Sequence, residues 1–350
     1  MGCASSSPVD AAAEARSKEI DKALKEDEKR LQREVKLLLL GAGASGKSTV
    51  LKQMRYIHAK PFSPDEVEDY RKIVFSNLVT GMRTIIDTMD ELGMAVQPNS
   101  RKYIAFVDNE PSLSTGEDFP KKYLDALRVL WADKGVQECY AKRNEYALQE
   151  NLPFFFAKLD EVFAPGWQPG HEDILRVRSK TTGITETKFQ IKGDVTFRLF
   201  DVGGQRSERR KWLSVFSETN AVVFITALSD YSSGIIEDLS SNGMVESLVL
   251  FESIVNSQWF VKTAIADVLA EQIKDPNQQV KPYFQDFPGK PGSYNDALEF
   301  FKQKHLSLVR GRDAPYLHVT TAINKHNMVV VMSAVTDSIV RDQLRSMAII

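Results

Sequence analysis

The apolar positions keep one rhythm for a stretch and then change it. Val35-Lys36-Leu37-Leu38-Leu39-Leu40 is a short, nearly continuous apolar run, as in a strand buried on both faces. Further on, Val67, Tyr70, Val74, Leu78, Met82, Ile85 and Met89 recur at steps of three and four, which predicts one long helix. Ser63-Pro64-Asp65-Glu66 starts it, with Ser63 as N-cap and Glu66 closing a capping box, and Gly93 stops it. More helices are expected from Pro120 to Leu130, Gly135 to Leu148 and Leu152 to Val162, and nothing from 60 to 175 reads as a strand. Strand patterning returns with Thr187–Ile191 and Val195–Phe200 around the turn pair Gly193-Asp194, then Ala221–Leu228 and Pro315–Thr321. Helices are expected at Gly243–Asn256, Tyr294–Lys304 and Asn327–Met347. The order predicts an α/β domain with an all-helical domain inserted into it.

Composition narrows the class. A 350-residue chain with 43% hydrophobic residues can bury a real core. A net charge of −2 gives no reason to expect nucleic acid. Two cysteines, Cys3 and Cys139, make no disulfide framework, which points to a reducing compartment. His58, His171, His305, His318 and His326 show no metal-ligand spacing. No apolar stretch reaches membrane-spanning length, and no secretory signal is expected. Residues 10–34 are charge-rich with Ile20, Leu24 and Leu31 interspersed. Such a segment reads first as a solvated helix, and second as one whose thin apolar edge meets a partner. Met1-Gly2-Cys3-Ala4-Ser5-Ser6 fits an acylation start, with Gly2 for myristate and Cys3 for palmitate. Two chains anchor stably where one does not.

The sharpest chemical signal follows the first strand. Gly41-Ala42-Gly43-Ala44-Ser45-Gly46-Lys47-Ser48-Thr49 is G-x-x-x-x-G-K-S entering a helix, a phosphate cradle. Its glycines let backbone N–H groups approach phosphate oxygens, Lys47 supplies a cation for the β- and γ-phosphates, and Ser48 offers a hydroxyl to Mg²⁺.

With these residues stand Leu130-Trp131, Gly135–Tyr140, Leu175–Gly183 (L-R-V-R-S-K-T-T-G), Asp201–Arg210 (D-V-G-G-Q-R-S-E-R-R), Ala227–Tyr231 and Trp259-Phe260. Together they resemble the α subunits of heterotrimeric G proteins over most of the chain. The resemblance implies a Ras-like P-loop GTPase domain, a mostly parallel sheet flanked by helices, formed by 35–59 and 178–350. It implies an inserted helical domain at 60–177 and a lipid-anchored helix at 1–34. It implies Arg178 as a built-in arginine finger and Gln205 as the residue orienting the attacking water. Ser48, Thr181 and Asp201 would serve Mg²⁺, and Gly204 would touch the γ-phosphate of GTP through its N–H. Further GTP or GDP contacts are implied for Glu150 and Asn151, for Leu175, Arg176, Val177, Ser179 and Lys180, for Val202 and Gly203, and for Asp267 and Ala322. Implied partners are a βγ dimer on residues 10–30 and 205–215 (Arg206, Arg209, Lys211, Trp212), a seven-helix membrane receptor at the tail Arg345–Ile350, an effector and GTPase-activating regulators. The implied location is the cytoplasmic face of the plasma membrane.

Three departures from that family stand out. Ala44 replaces a Glu that can pair with the arginine finger, and Glu150-Asn151 replaces Asp-Ser. Most severely, Val261–Glu271 keeps only the tail of the guanine-reading N-K-x-D motif, with Asp267 as its Asp. The Asn, the Lys and about a strand's worth of residues are missing. Loss of a central strand would orphan backbone groups at about 1–3 kcal/mol each. The expectation is therefore that Lys262–Val268 extends and pairs with Val222–Ala227. A non-catalytic module that sequesters βγ or a receptor is the alternative reading. A P-loop ATPase or kinase is a weaker one.

Overall fold

The computed structural model describes residues 16–26, 34–146, 148–191, 195–216, 219–235, 238–257, 263–266, 273, 279–311 and 313–346. Gly2, Cys3, Gly193-Asp194, Trp259-Phe260, Asp267 and 347–350 lie outside them, and so do the readings placed on those residues.

Helix α1 (16–26) exposes Ile20 and Leu24. Strand β1 (Glu34–Leu40) then sits inside a six-stranded sheet with β2 (Ile184–Ile191), β3 (Val195–Val202), β4 (Ala221–Ile225), β7 (Thr263–Ala266) and β8 (Tyr316–Leu317), in the order β2-β3-β1-β4-β7-β8. Only the β2–β3 pair is antiparallel. Alternate residues of β1 serve opposite faces, which explains its unbroken apolar run. Val35, Leu37 and Leu39 pack with Val50, Leu51 and Met54 of α2 (Lys47–Ile57) and with Met328, Val331 and Met332 of α13 (Lys325–Ser346). Leu38 and Leu40 pack with Val222, Phe224 and, from α11 (Gly243–Val255), Leu250 and Phe251. Fully burying each such side chain contributes about 1.5–3 kcal/mol.

The shortened segment fills the gap, as expected of it. Thr263–Ala266 pairs in parallel with Val222–Ile225 on one side and Tyr316-Leu317 on the other. All four residues pair with β4 and the middle two also with β8, so the sheet is continuous despite the missing length.

A separate core belongs to the helices between. In α3 (Pro64–Glu91), Ser63 and Glu66 form the expected capping box, and Val74, Phe75, Leu78, Met82, Ile85 and Met89 form the buried stripe. Around it lie α4 (Ile104–Asp108), α5 (Lys121–Trp131), α6 (Lys134–Ala141), α7 (Leu152–Ala157) and α8 (Leu159–Val162), and α9 (His171–Arg176) follows against α2. No strand occurs among the described residues of 60–175.

Several boundaries differ from the pattern. The helix expected over Gly135–Leu148 ends at Ala141, and a 3-10 turn follows at Arg143–Glu145. Leu152–Val162 breaks into two helices at Lys158, whose φ of −118° leaves the helical region. Strand β4 stops at Ile225 rather than Leu228, because Leu228–Ser232 turns into a 3-10 segment. Pro315–Thr321 pairs only at Tyr316-Leu317, opposite Ala264 and Ile265. A two-strand ribbon, β5 (Gly234–Ile235) with β6 (Asp238–Asn242), and α4, α9 and α10 (Leu213–Phe216) had no sequence expectation, being too short for periodicity. Helix α12 (Tyr294–Ser307) runs one turn longer than expected.

Candidate functional site

The site forms where β1, β3 and β4 end. Gly41 has φ +148°, and a Cβ there would stand 2.2 Å from the Ile225 carbonyl oxygen, so only glycine lets β1 turn beside β4. The loop closes into α2 through Gly46, and Ala44 takes a left-handed φ of 62°. Lys47 is buried, and its Nζ donates to the carbonyls of Gly41 (3.1 Å) and Ala42 (2.6 Å) and to Ser45 Oγ (3.2 Å). Burial lowers its pKa to about 8, against the pull of Asp201. A cation held on neutral acceptors in a glycine loop is suited to an incoming anion.

Three oxygen-bearing side chains remote in sequence meet beside it. Ser48 Oγ donates to Asp201 Oδ2 at 2.6 Å and lies 2.6 Å from Thr181 Oγ1, which is 3.5 Å from the same Oδ2. Asp201 is 1% exposed, and its Oδ1 is buried with no hydrogen-bond partner. Burial raises its pKa, opposed by Ser48, Lys47 and Thr181. Two hydroxyls and a carboxylate with one uncompensated oxygen fit a hard divalent cation such as Mg²⁺.

The segment after β3 lies over the loop. A Cβ on Gly204 would come within 2.4 Å of Lys47 Nζ and 2.5 Å of Ala42 O, so this approach also requires glycine. Gln205 follows, its Cγ 3.5 Å from where a Gly43 Cβ would stand, and its Oε1 is buried without a partner. Arg206 and Arg209 both pair with Glu246 of α11, at 2.8 and 2.7 Å. Trp212 is buried and donates from Nε1 to the Gly203 carbonyl (2.9 Å). In this arrangement Trp212 is closed to a partner, whereas Arg206, Lys211 and Leu213 remain largely exposed.

Arg178 is half-buried. Burial lowers its pKa, and Glu150 and Asp230 act against that as opposite charges. Asn77 of α3 grips its backbone, since Oδ1 accepts from Arg178 N and Nδ2 donates to Arg178 O, each at 3.0 Å. Asn151 donates to that Asn77 Oδ1 (2.8 Å) and to Arg176 O (3.0 Å). Lys52 donates to the carbonyls of Ile174 and Val177 and so fixes the approach to Arg178. Not every expected residue turns inward. The side chains of Leu175, Val177, Val202 and Ala322 are core, and Arg176 pairs with Glu172. Lys180 and Glu150 are exposed.

Pattern reading did not single out Asn77, Lys52 or Glu246, and it gave Asp230 no role of its own. Asn77 left a signal, as a polar residue next to Leu78 in the apolar stripe of α3.

A phosphate loop, an oxygen triad and a docked D-V-G-G-Q segment at one end of the sheet's strands point to one family, and the comparison of sequences decides it. The family model described as G-protein alpha subunit matches residues 14–339. This chain belongs to the G-protein alpha subunit family. Among similar alpha subunits, the guanine nucleotide-binding protein alpha-2 subunit of Mycosarcoma maydis is 45% identical over 342 residues, 95% of each chain. The guanine nucleotide-binding protein subunit alpha of Coprinellus congregatus is 42% identical over 353 residues, and that of Cochliobolus heterostrophus 40% over 351, each covering 99% of both chains.

Proposed function

We propose that this alpha subunit is a membrane-anchored switch that binds GTP and GDP with Mg²⁺ and hydrolyses GTP. The triphosphate would lie along the backbone N–H groups of Gly41–Ser48, against Lys47. Ser48, Thr181 and Asp201 would hold Mg²⁺, which when bound neutralises charge on the β- and γ-phosphate oxygens. Gln205 is suited to orient the attacking water, because its Oε1 is free to accept a proton-bearing partner. Water oxygen would bond to the γ-phosphorus as the bond to the bridging oxygen breaks, leaving GDP and phosphate. Arg178, positioned by Asn77, would stabilise the charge that develops between them. Loss of the γ-phosphate would free Gly204 and the segment that Glu246 holds.

The carrying observation is the convergence of Ser48, Thr181 and Asp201 beside the phosphate loop, with Gln205 near Gly43 and its Oε1 buried and unpartnered. The remaining parts of the reading are acylation at Gly2 and Cys3, residence at the cytoplasmic face of the plasma membrane, and a βγ dimer, receptor, effector and GTPase-activating regulators as partners. They are supported by the family and by the apolar edge of α1.

Calorimetry with GTPγS and Mg²⁺ tests this reading. Nanomolar binding is expected, with ATP competing far more weakly. Absence of heat at high concentration would favour the sequestering module, which the missing Asn-Lys pair motivates, and equal competition by ATP would overturn guanine selectivity.

A further inference from the structure

Arg209-Arg210-Lys211 is the only run of three consecutive cations in the sequence, and Ser214 stands three residues beyond it. The run lies in the 3-10 segment Arg206–Trp212, and Ser214 lies in the short helix α10 that follows. Arg210, Leu213 and Ser214 are exposed, and Ser214 Oγ donates to the Lys211 carbonyl at 2.7 Å. The next two residues, Val215 and Phe216, are half-buried against the core that Phe224 and Phe251 form under the sheet. From Arg206 to Phe216 the chain carries four cations against the single carboxylate of Glu208. An exposed hydroxyl thus follows a block of positive charge at fixed spacing and precedes an apolar pair.

We propose that Ser214 is a phosphoacceptor for a protein kinase with an acidic substrate groove, and that docking of its segment on the sheet protects it. Kinases choose substrates by charge pattern, and an acidic groove favours cations placed before the acceptor. In the transfer Ser214 Oγ bonds to the γ-phosphorus of ATP as the bond to the β–γ bridging oxygen breaks. ADP leaves, and the hydroxyl proton passes to the kinase's base. Such a groove takes its substrate extended, whereas Ser214 here sits in a helical turn, so the segment must first come off the sheet. Arg206 and Arg209 on Glu246, Glu208 Oε2 on Gly183 N (2.9 Å) and Trp212 Nε1 on the Gly203 carbonyl hold it there. The nucleotide reading above ties the same segment to the γ-phosphate, and on that reading alone the diphosphate form is the better substrate. The ester adds a charge of about −1.5 to −2 at pH 7 and opposes the positive surplus of this face.

The test incubates the full chain, free of partner chains, with ATP and purified protein kinase C, a kinase of basic substrates, and locates the phosphate by peptide fragmentation. Labelling is expected at Ser214, lost in Ser214→Ala and slowed several-fold in Arg210→Ala, which removes an exposed cation and none of the bonds that dock the segment. An unlabelled Ser214, or a rate unchanged in Arg210→Ala, would overturn the acceptor. Glu246→Gln weakens both arginine pairings and should speed labelling without any nucleotide. A rate equal to that of the wild type would overturn the protection. The chain loaded with GDP should be labelled faster than the chain loaded with GTPγS and Mg²⁺. Equal rates for the two, beside faster labelling of Glu246→Gln, would support the protected acceptor and count against release driven by the nucleotide.

Discussion

Ser48 and Thr181 are 133 positions apart, yet their hydroxyl oxygens lie 2.6 Å from each other and share the carboxylate of Asp201. One residue comes from the first turn of α2, one from the crossing into β2, and one from β3. Only a sheet that sets β1 beside β3 brings them together. Thr181 is therefore the member whose position depends on the crossing into β2 rather than on the phosphate loop.

Thr181→Ala should spare the phosphate loop and weaken only the metal. The expected outcome is GDP binding within about threefold of wild type, with a Mg²⁺ requirement for hydrolysis raised at least tenfold, about 1.4 kcal/mol. Titrating Mg²⁺ in single-turnover hydrolysis checks this. An unchanged Mg²⁺ midpoint would remove Thr181 from the site.

Asn77 holds the backbone of Arg178 at both its N–H and its carbonyl. Asn77→Ala should leave the affinity for GTPγS near wild type and slow hydrolysis by about ten- to a hundredfold, because loss of the grip frees the guanidinium's position. Asn77→Asp keeps the bond from Arg178 N and loses the one to Arg178 O, so it should fall between. Quenched-flow release of phosphate separates the two effects.

Burial pushes the Asp230 carboxyl up to about 7, with Glu150 adding to the shift and Arg178 and Lys47 opposing it. A pKa raised on folding means that the native state holds a proton the unfolded chain has already lost between about pH 4 and 7. The contribution is complete below pH 4 and disappears as pH rises through 7. Asp230→Asn should therefore stabilise the nucleotide-free protein above pH 7 by roughly 1–2 kcal/mol, less than the full shift because the carboxyl keeps partial contact with solvent. It should have little effect near pH 4. Melting temperatures of both proteins from pH 4 to 8 check the sign, and a difference independent of pH would rule out this origin.

What could be read from residues alone followed physical range. The capping box at Ser63, the stripe of α3 and the two-faced run of β1 are local patterns, and each is present. The phosphate loop is visible as a motif because its chemistry needs fixed spacing, whereas Gln205 stands out only through the resemblance of Asp201–Arg210 to the family. Asn77 and Glu246 were not legible, since each acts on a partner 101 or about 40 residues away, a distance set by packing rather than by spacing. The break at Lys158 was hidden for a different reason. Apolar periodicity runs straight through it, and backbone geometry alone ends the helix.

The four residues of β7 carry an unusual burden. Thr263–Ala266 serves both β4 and β8, with Ala264 opposite Val223 and Tyr316, and Ile265 opposite Phe224 and Leu317. A longer strand could lose one ladder bond and keep its register through the rest, but here one bond is a large share of the whole. Ala264→Pro removes a donor and imposes φ near −65° in the middle of the sheet, at a cost of about 3 kcal/mol or more. It should lower the melting temperature by at least about 5 °C and expose the β4 edge to aggregation. The same change at Ala314, just outside β8, should cost under about 1 kcal/mol. Equal melting temperatures for Ala264→Pro and wild type would mean that the shortened strand does not bridge its neighbours.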